Sequence, residues 1–488
     1  MTRQDKTIFL VVPHGFAARY FLRTELLQTL KVAGCRVVIL APNSEERYFR
    51  DEFLRDDVLV EKLEVEKIAQ YLKKSRVQSL LRQIRVFVLN ADSDITTIDD
   101  LYRIYRQERS RSGVRRKLRN VVLDASVWTL RRSRILRRML TWVESTLHVG
   151  GFHRGLFDTY QPDLVVTSSL GYFRDDAYVM REARRHHVAV SAVILSWDNP
   201  TSWGMAGAFA DYVVVQTDRM KEELNRLHDQ RPSRIFVEGI ACFDHYYHPE
   251  LLPDRDTFFS KMGLDPRHPL ILLATQSPNI FPWNADLIKL VARAIQDGRL
   301  PKECQLLVRL HPLHLRHRDG KPLYGDLMRE YEQVQQEHPF VVFNCPASLS
   351  SRLEADMPRS EMIDVACMLR YADVLVNHFS TIAVEGCLHN LPTINVGYDP
   401  GDPKKKTQLK HSSALAERRT HNQRLIQAGC VRTAHCEEAL LQAINAYLKD
   451  PGLDAEQRAA VAAVESGPYP GSAGRHIGER LLSFLDGD

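Results

Sequence analysis

Several short segments pair side chains that move protons or hold phosphate with the turn residues that would present them. Pro13-His14-Gly15 ends a short apolar run. A histidine there can deprotonate a hydroxyl, because imidazole titrates near neutral pH. Gly15 would let the backbone approach a ligand closely. The alternative is a histidine that only hydrogen-bonds its own turn. Ser196-Trp197-Asp198-Asn199-Pro200-Thr201-Ser202-Trp203-Gly204 follows another apolar run. Its loop-forming residues could present Asp198 as a base or orienting group beside aromatic acceptor contacts. Alternatively the loop is structural and its tryptophans fill an interface between domains. Asp175 and Asp176 read as a solvated helix start.

The second half carries a complementary set. Arg309-Leu310-His311-Pro312 leaves a strand, and a fixed guanidinium beside an imidazole suits a diphosphate clamp, with His311 also a catalytic candidate. An ordinary surface pair is the alternative. Gln276 and Ser277, after the preceding strand, offer polar groups to the same place. The stretch Ala372–Cys387 (ADVLVNHFSTIAVEGC) reads as a buried strand, a polar turn and a helix starting near Ser380. The helix start and the Ser380 and Thr381 hydroxyls suit phosphate. Glu385, one turn on, suits ribose hydroxyls. Otherwise Ser380 is a plain N-cap and Glu385 is solvated.

These segments need a scaffold of alternating strands and helices. Strands are expected at Thr7–Pro13, Arg36–Ala41, Leu164–Ser168, Val188–Leu195, Asp211–Gln216 and Arg234–Glu238, with a helix over Ala17–Ala33. A second series runs through Leu270–Ala274, Gln305–Leu310, Phe340–Phe343, Val374–Asn377 and Thr393–Val396. The expected fold is α/β, with two Rossmann-like doubly wound domains facing across a cleft and ligand at the strand carboxyl ends. The expected domains are residues 1–247, a proline-bearing linker at 248–258, and 259–465. A C-terminal helix within 466–488 could return to the first domain.

A helical, basic insertion is expected over about 53–149. Between Arg111 and Leu140 ten Lys or Arg face one acid, Asp124, with apolar residues interleaved. It is either a surface for anionic membrane or a lipid-linked acceptor, or a packed insertion solvated by its arginines. No binding motif accompanies it, so nucleic acid is not an expected partner. A chain of 488 residues with 44% hydrophobic and 26% charged residues and net charge +5 is globular and long enough for two cores. The eight scattered cysteines read as reduced thiols. Without a signal-peptide pattern or an apolar span, a cytoplasmic location is expected, with peripheral attachment to the inner membrane face an option.

At these residues the chain resembles GT-B glycosyltransferases, bacterial surface-polysaccharide transferases, and the group of CDP-glycerol glycerophosphotransferases and UDP-GlcNAc 2-epimerases. Arg309, His311 and Pro312 resemble the glycerophosphotransferase motif. Ser380-Thr381, Glu385 and Leu391-Pro392-Thr393-Ile394 resemble the donor signature, in which the hydroxyl turn holds phosphates and the glutamate holds ribose. The Ser196–Gly204 block, Gly239-Ile240, Phe243-Asp244, Gly467-Pro468-Tyr469 and Gly474-Arg475 are similar to surface-polysaccharide transferases. The resemblance implies sugar transfer from a nucleoside diphosphate donor to a glycan or lipid-linked acceptor. These segments offer no obvious carboxylate cage, so side chains and a helix end are expected to neutralise the diphosphate, with no required cofactor or metal. CDP-polyol-phosphate transfer or a non-catalytic binding role are the alternatives. Asn377-His378-Phe379-Ser380 stands where the epimerases have a glycine-rich loop, which argues against epimerisation. No second carboxylate completes the paired-glutamate pattern of retaining enzymes.

Overall fold

A computed structural model describes residues 6–109, 114–318, 321–347, 349–350, 352–401 and 411–486. The chain divides into two compact units. Unit 1 comprises Met1–Asp244, Arg352–Asp356 and Ser466–Asp488; unit 2 comprises His245–Ser351 and Met357–Glu465.

Unit 1 is built on strands β1 (Thr7–Val11), β2 (Arg36–Ala41), β3 (Val58–Lys62), β4 (Leu164–Thr167), β5 (Ala189–Val193), β6 (Tyr212–Val215) and β7 (Ile235–Val237). They form one parallel sheet in the order β3-β2-β1-β4-β5-β6-β7. Continuous apolar runs such as Ile8–Val11 and Val37–Leu40 are buried on both faces, as a helix-covered parallel sheet requires. The strand order reverses direction between β1 and β4, which makes that junction the switch point of the sheet.

Two expectations change here. The region from residue 53 opens with an edge strand, β3, rather than with helix. In Val-Leu-Val-Glu-Lys the last two residues are half-exposed, so the apolar run is too short to stand out. The expected helix over Ala17–Ala33 is two helices, Gly15–Leu22 and Glu25–Val32. Thr24 caps the second through its hydroxyl. Between them, buried Arg23 pairs with Glu52 at 2.9 Å and with Asp356 at 2.6 Å.

The final helix, Ala473–Leu485, packs in unit 1 against Glu25–Val32. Asp244 accepts its first amides, from Ala473 at 2.9 Å and Gly474 at 2.7 Å. Gly478 has no room for a side chain, since a Cβ would sit 2.7 Å from that of Thr29.

The insertion proper is the helices Val65–Lys74, Arg76–Val86, Thr96–Arg109, Val114–Arg132 and Arg134–Leu147. Some of its arginines are structural. Glu144, fully buried, approaches Arg85 at 2.8 Å and Arg181 at 3.6 Å and accepts from Gln78 at 3.0 Å. Arg137 grips Asp229 with two bonds, of 2.7 and 2.9 Å. Other side chains of the insertion face outward, including Val121, Trp128, Ile135 and Trp142. Residues 110–113 of the basic run, Arg111 among them, and the side chains to residue 119 lie outside the described residues. Among the described residues no helix is long and apolar enough to cross a membrane.

Unit 2 holds β8 (Leu270–Ala274), β9 (Gln305–Arg309), β10 (His317–Arg318), β11 (Lys321–Pro322), β12 (Val341–Asn344), β13 (Val374–Asn377), β14 (Thr393–Val396) and β15 (Arg432–Ala434). Its parallel sheet runs β12-β9-β8-β13-β14-β15; β10 and β11 form a separate antiparallel ladder. Ile271, Leu273, Val308, Val376 and Ile394 form one buried cluster with residues of the helices Asn284–Gln296 and Glu437–Lys449. Here the order reverses between β8 and β13.

Candidate functional site

In unit 2 the sequence-selected residues gather at the carboxyl edge of one sheet. Gln276 and Ser277 follow β8, Arg309 and His311 end β9, and Ser380, Thr381 and Glu385 follow β13. These strands are neighbours in the order β9-β8-β13. Residues a hundred positions apart in sequence therefore meet at the switch point.

The geometry sorts them. Arg309 is not an open clamp. It is buried, pairs with Glu361 at 2.7 Å, and also donates to Asn344 Oδ1. Held this way, the guanidinium ties the end of β9 to Asn344 at the end of β12 and to Glu361. Gln276 is likewise occupied: Nε2 donates to the His378 carbonyl at 3.0 Å and Oε1 accepts the Ser277 amide at 2.8 Å. It ties β8 to β13 and shapes the cradle. Ser277 Oγ is buried with no partner among the described residues.

His311 is positioned from two sides. Its amide donates to Thr275 Oγ1 at 2.8 Å, and its Nδ1 accepts from the Leu313 amide at 3.1 Å. Burial, with the neighbouring His314 and Arg309, lowers its pKa to about 4. The ring is neutral near pH 7, and with Nδ1 accepting, its proton resides on Nε2. It is a hydrogen-bond donor aimed away from its own backbone.

After β13 comes a left-handed residue, Phe379, at φ 45°, a conformation that costs a non-glycine residue and tends to mark functional turns. Ser380 does not cap the following helix with its side chain. Its amide donates to Asn377 Oδ1 at 3.0 Å, and the helix is the short Ile382–Leu388 with Thr381 before it. Glu385 is half-buried and accepts a hydrogen bond from the Tyr246 hydroxyl, so it is not simply solvated.

His378 lies within this stretch, and the sequence assigns it no role. It is buried, stacks on Phe281 with centroids 4.0 Å apart, and lies 3.0 Å from Ser413 Oγ through Nε2. Ser413 directs its own proton to Asp399 at 2.6 Å, so His378 Nε2–H is the donor in this pair. Burial lowers the His378 pKa to about 3, leaving Nδ1 an acceptor, buried and without partner among the described residues. Only the position of a histidine directly after a buried strand could have signalled it.

In unit 1, His14 and Asp198 end β1 and precede the short helix after β5, on the two sides of β4. Aromatic contacts run from His14 to Trp203 of the Ser196–Gly204 segment: His14 meets Phe173 at 5.0 Å, and Phe173 meets Trp203 at 5.2 Å, both edge-on. His14 caps the helix Gly15–Leu22, with Nδ1 accepting from the Ala17 amide at 3.1 Å. Burial lowers its pKa to about 4. Its proton therefore sits on Nε2, an atom buried with no partner among the described residues, and the ring as placed donates rather than abstracts. Asp198 Oδ1 accepts from Ser196 Oγ at 2.5 Å. Trp197 is buried while Trp203 is partly open.

The role expected of Gly15 changes as well. What approaches it is the chain's own segment: its amide donates to the Glu354 carbonyl at 2.8 Å, and a Cβ would lie 2.2 Å from the Ala355 carbonyl carbon. Asp176 is not a solvated helix start. It is fully buried, accepts from Ser168 at 2.8 Å and Ser169 at 2.6 Å, and burial pushes its pKa up to about 7. Among the described residues no group of three or more His, Cys, Asp or Glu side chains is placed to hold a metal ion.

Fold and strand-end sites together define a two-unit α/β protein of the GT-B type, the architecture implied by the motif order. Similar solved structures include a candidate UDP-N-acetylglucosamine 2-epimerase of Listeria monocytogenes, with 12% identity over 99% of this chain and 97% of that one, TM-score 0.55. The S. aureus MnaA–UDP co-structure has 12% identity, the same coverages of 99% and 97%, and TM-score 0.53. The UDP-GlcNAc 2-epimerase of Neisseria meningitidis bound to UDP-GlcNAc has 10% identity over 98% of this chain and all of that one (100%), TM-score 0.50. At these identities the likeness is one of fold. No protein-family model matches the sequence, and no curated protein matches it.

Proposed function

We propose that this chain is a glycosyltransferase that moves a sugar from a nucleoside diphosphate donor to a hydroxyl of a glycan or lipid-linked acceptor in surface-polysaccharide synthesis at the cytoplasmic face of the membrane. The observation that carries the reading is the unit 2 switch point, where two buried polar atoms, Ser277 Oγ and His378 Nδ1, lack partners among the described residues. Buried polar groups are nearly always satisfied, and these two stand at the strand carboxyl ends beside a switch point, where open α/β sheets bind ligands, which supports a polar ligand there. The fold neighbours solved with UDP and UDP-GlcNAc support a nucleotide sugar as that ligand.

In this reading His311 Nε2–H and the hydroxyls of Ser277, Ser380 and Thr381 hydrogen-bond the diphosphate, and Glu385, steadied by Tyr246, accepts from the ribose hydroxyls. Gln276 and Arg309 hold the cradle. Asp198 takes the proton of the acceptor hydroxyl as its oxygen bonds the anomeric carbon. The bond from that carbon to the phosphate oxygen breaks, and the nucleoside diphosphate leaves with the electron pair. His14 donates through Nε2 to an acceptor oxygen. The donor is the only cosubstrate required.

The test is a transfer assay with nucleotide sugars and a glycan or lipid-linked acceptor, reading nucleoside diphosphate release and the mass of the product. A sugar joined without added phosphorus supports the reading. Phosphorus in the new linkage means polyol-phosphate transfer, and an epimerised donor with no acceptor product means epimerisation; either overturns it. Asp198→Asn should lower kcat at least about 100-fold. With both histidines already neutral, kcat/KM should show no histidine-type fall near pH 6.5. An acid limb centred there and abolished by His14→Ala would return the base role to His14.

A further inference from the structure

At the opposite edge of the unit 1 sheet lies a cavity of about 640 Å³ that the transfer reaction does not use. Asp211, immediately before β6, and Arg234, immediately before β7, line it. It therefore sits at the strand amino ends, whereas His14 and Asp198 lie at the carboxyl ends. Four arginines border it: Arg138, Arg184, Arg231 and Arg234. Among the described residues none of the four pairs with a carboxylate. Arg138 and Arg184 face the ring of Phe209, at 5.9 and 5.2 Å, and Arg234 faces Tyr212 at 5.4 Å. The two acids of the lining are already engaged, Asp229 by Arg137 and Asp211 by the Val190 amide at 2.9 Å.

The rim of this cavity is apolar. On the helix Arg134–Leu147, Ile135, Met139 and Trp142 recur at i, i+4 and i+7 and so share one face. That face lines the cavity and stands open, with Ile135 72% and Trp142 53% exposed. On the preceding helix Trp128, also exposed, has Arg132 over its ring at 4.3 Å. Exposed large side chains of this kind on adjacent helices mark an interaction surface rather than scattered surface residues. Cationic groups without carboxylate partners among the described residues, beside aliphatic and indole side chains, match the boundary between lipid headgroups and acyl chains. A protein-binding patch would be depleted of charge at its centre.

We propose that this edge of unit 1 docks on an anionic phospholipid leaflet. The arginines take a lipid phosphate, and Ile135, Met139 and Trp142 enter the headgroup–acyl boundary. Phosphate oxygens are met by guanidinium forks, while the aliphatic rim gains by leaving water. Because the contact is at the strand amino ends, the carboxyl ends stay clear of the bilayer. The inference is independent of which reaction occurs there.

The experiment is co-sedimentation of the full chain with vesicles of phosphatidylcholine alone or with about one-third phosphatidylglycerol. The docking reading predicts at least about tenfold tighter binding to the anionic vesicles. Arg184→Glu with Arg234→Glu, and separately Ile135→Ser with Trp142→Ser, should each weaken it about tenfold or more at an unchanged melting temperature. No preference for anionic vesicles overturns the proposal. So does full binding by the Ile135/Trp142 variant, which would leave a purely electrostatic surface. Displacement by inorganic phosphate at matched ionic strength also overturns it, since the site would then hold free phosphate and not a leaflet.

Discussion

The melting temperature of this protein falls steeply as the pH drops from about 6.5 to about 4.5, and both units unfold. Burial lowers the pKa of His14, His153, His228, His311, His314 and His389 to about 4 and of His378 to about 3. Each ring titrates at 6.5 in the unfolded chain, so on acidification the unfolded state takes the proton first. The stability held by each is complete above pH 6.5 and is lost on the way down to about 4, on the order of 3 kcal/mol per ring at most. Geometry reinforces the sign. His14 and His311 accept backbone amides through Nδ1, and a proton there would set two donors face to face. Asp176 acts in the opposite direction. Its folded pKa of about 7 lies above its ordinary 3.8, so its contribution is lost as pH rises from about 3.8 to about 7. Burial also raises Asp175 and Glu182, but three carboxyls do not offset seven imidazoles. A series of melting curves from pH 8 to 4.5 checks this, and a midpoint unchanged down to pH 5 would contradict it.

Glu144→Ala is the most damaging single substitution expected in the insertion. It leaves Arg85 and Arg181, both buried, without their shared carboxylate. The Arg85 approach at 2.8 Å is an ion contact and not an aligned hydrogen bond, so the loss is mainly one of charge compensation. Breaking a buried pair typically costs about 3–5 kcal/mol, which for a unit of this size lowers the melting temperature by roughly 10 °C. The guanidiniums also hold carbonyls, Arg85 that of Met205 at 2.6 Å and Arg181 that of Gly207 at 2.7 Å. The damage should therefore spread from the insertion into the sheet-bearing part of unit 1. A melting temperature within about 2 °C of the parent would show that the triad holds little stability.

What was legible in the sequence follows from how strands are buried. Leu270–Ala274, Val374–Asn377 and Thr393–Val396 appear at the expected bounds because these interior parallel strands are buried at every position and so are rich in Leu, Val and Ile. The edge strands β3 and β15 do not stand out in the sequence. Val58–Lys62 ends in two charged residues, and Arg432–Ala434 has a single buried residue. The strand-end positions of the site were readable from the same pattern, but the state of each side chain was not. Arg309 has the chemistry of a phosphate clamp, and what commits it elsewhere is Glu361, fifty-two residues further along the chain. Asp176 looks like an exposed helix start until Ser168 and Ser169 enclose it. Histidine tautomers depend on which nitrogen meets a local amide, a backbone fact that residue type does not encode.

The central claim is that the unit 2 switch point holds a nucleoside diphosphate. The most direct test is a thermal-shift panel of UDP, GDP, CDP, CMP and dTDP, repeated on Glu385→Ala, since a ligand that binds only the native state raises the melting temperature. The account predicts stabilisation by one diphosphate, identifying the donor base, and at least a tenfold weaker response in the variant, about 1.4 kcal/mol. Stabilisation by none of them, or an equal shift in Glu385→Ala, would contradict it.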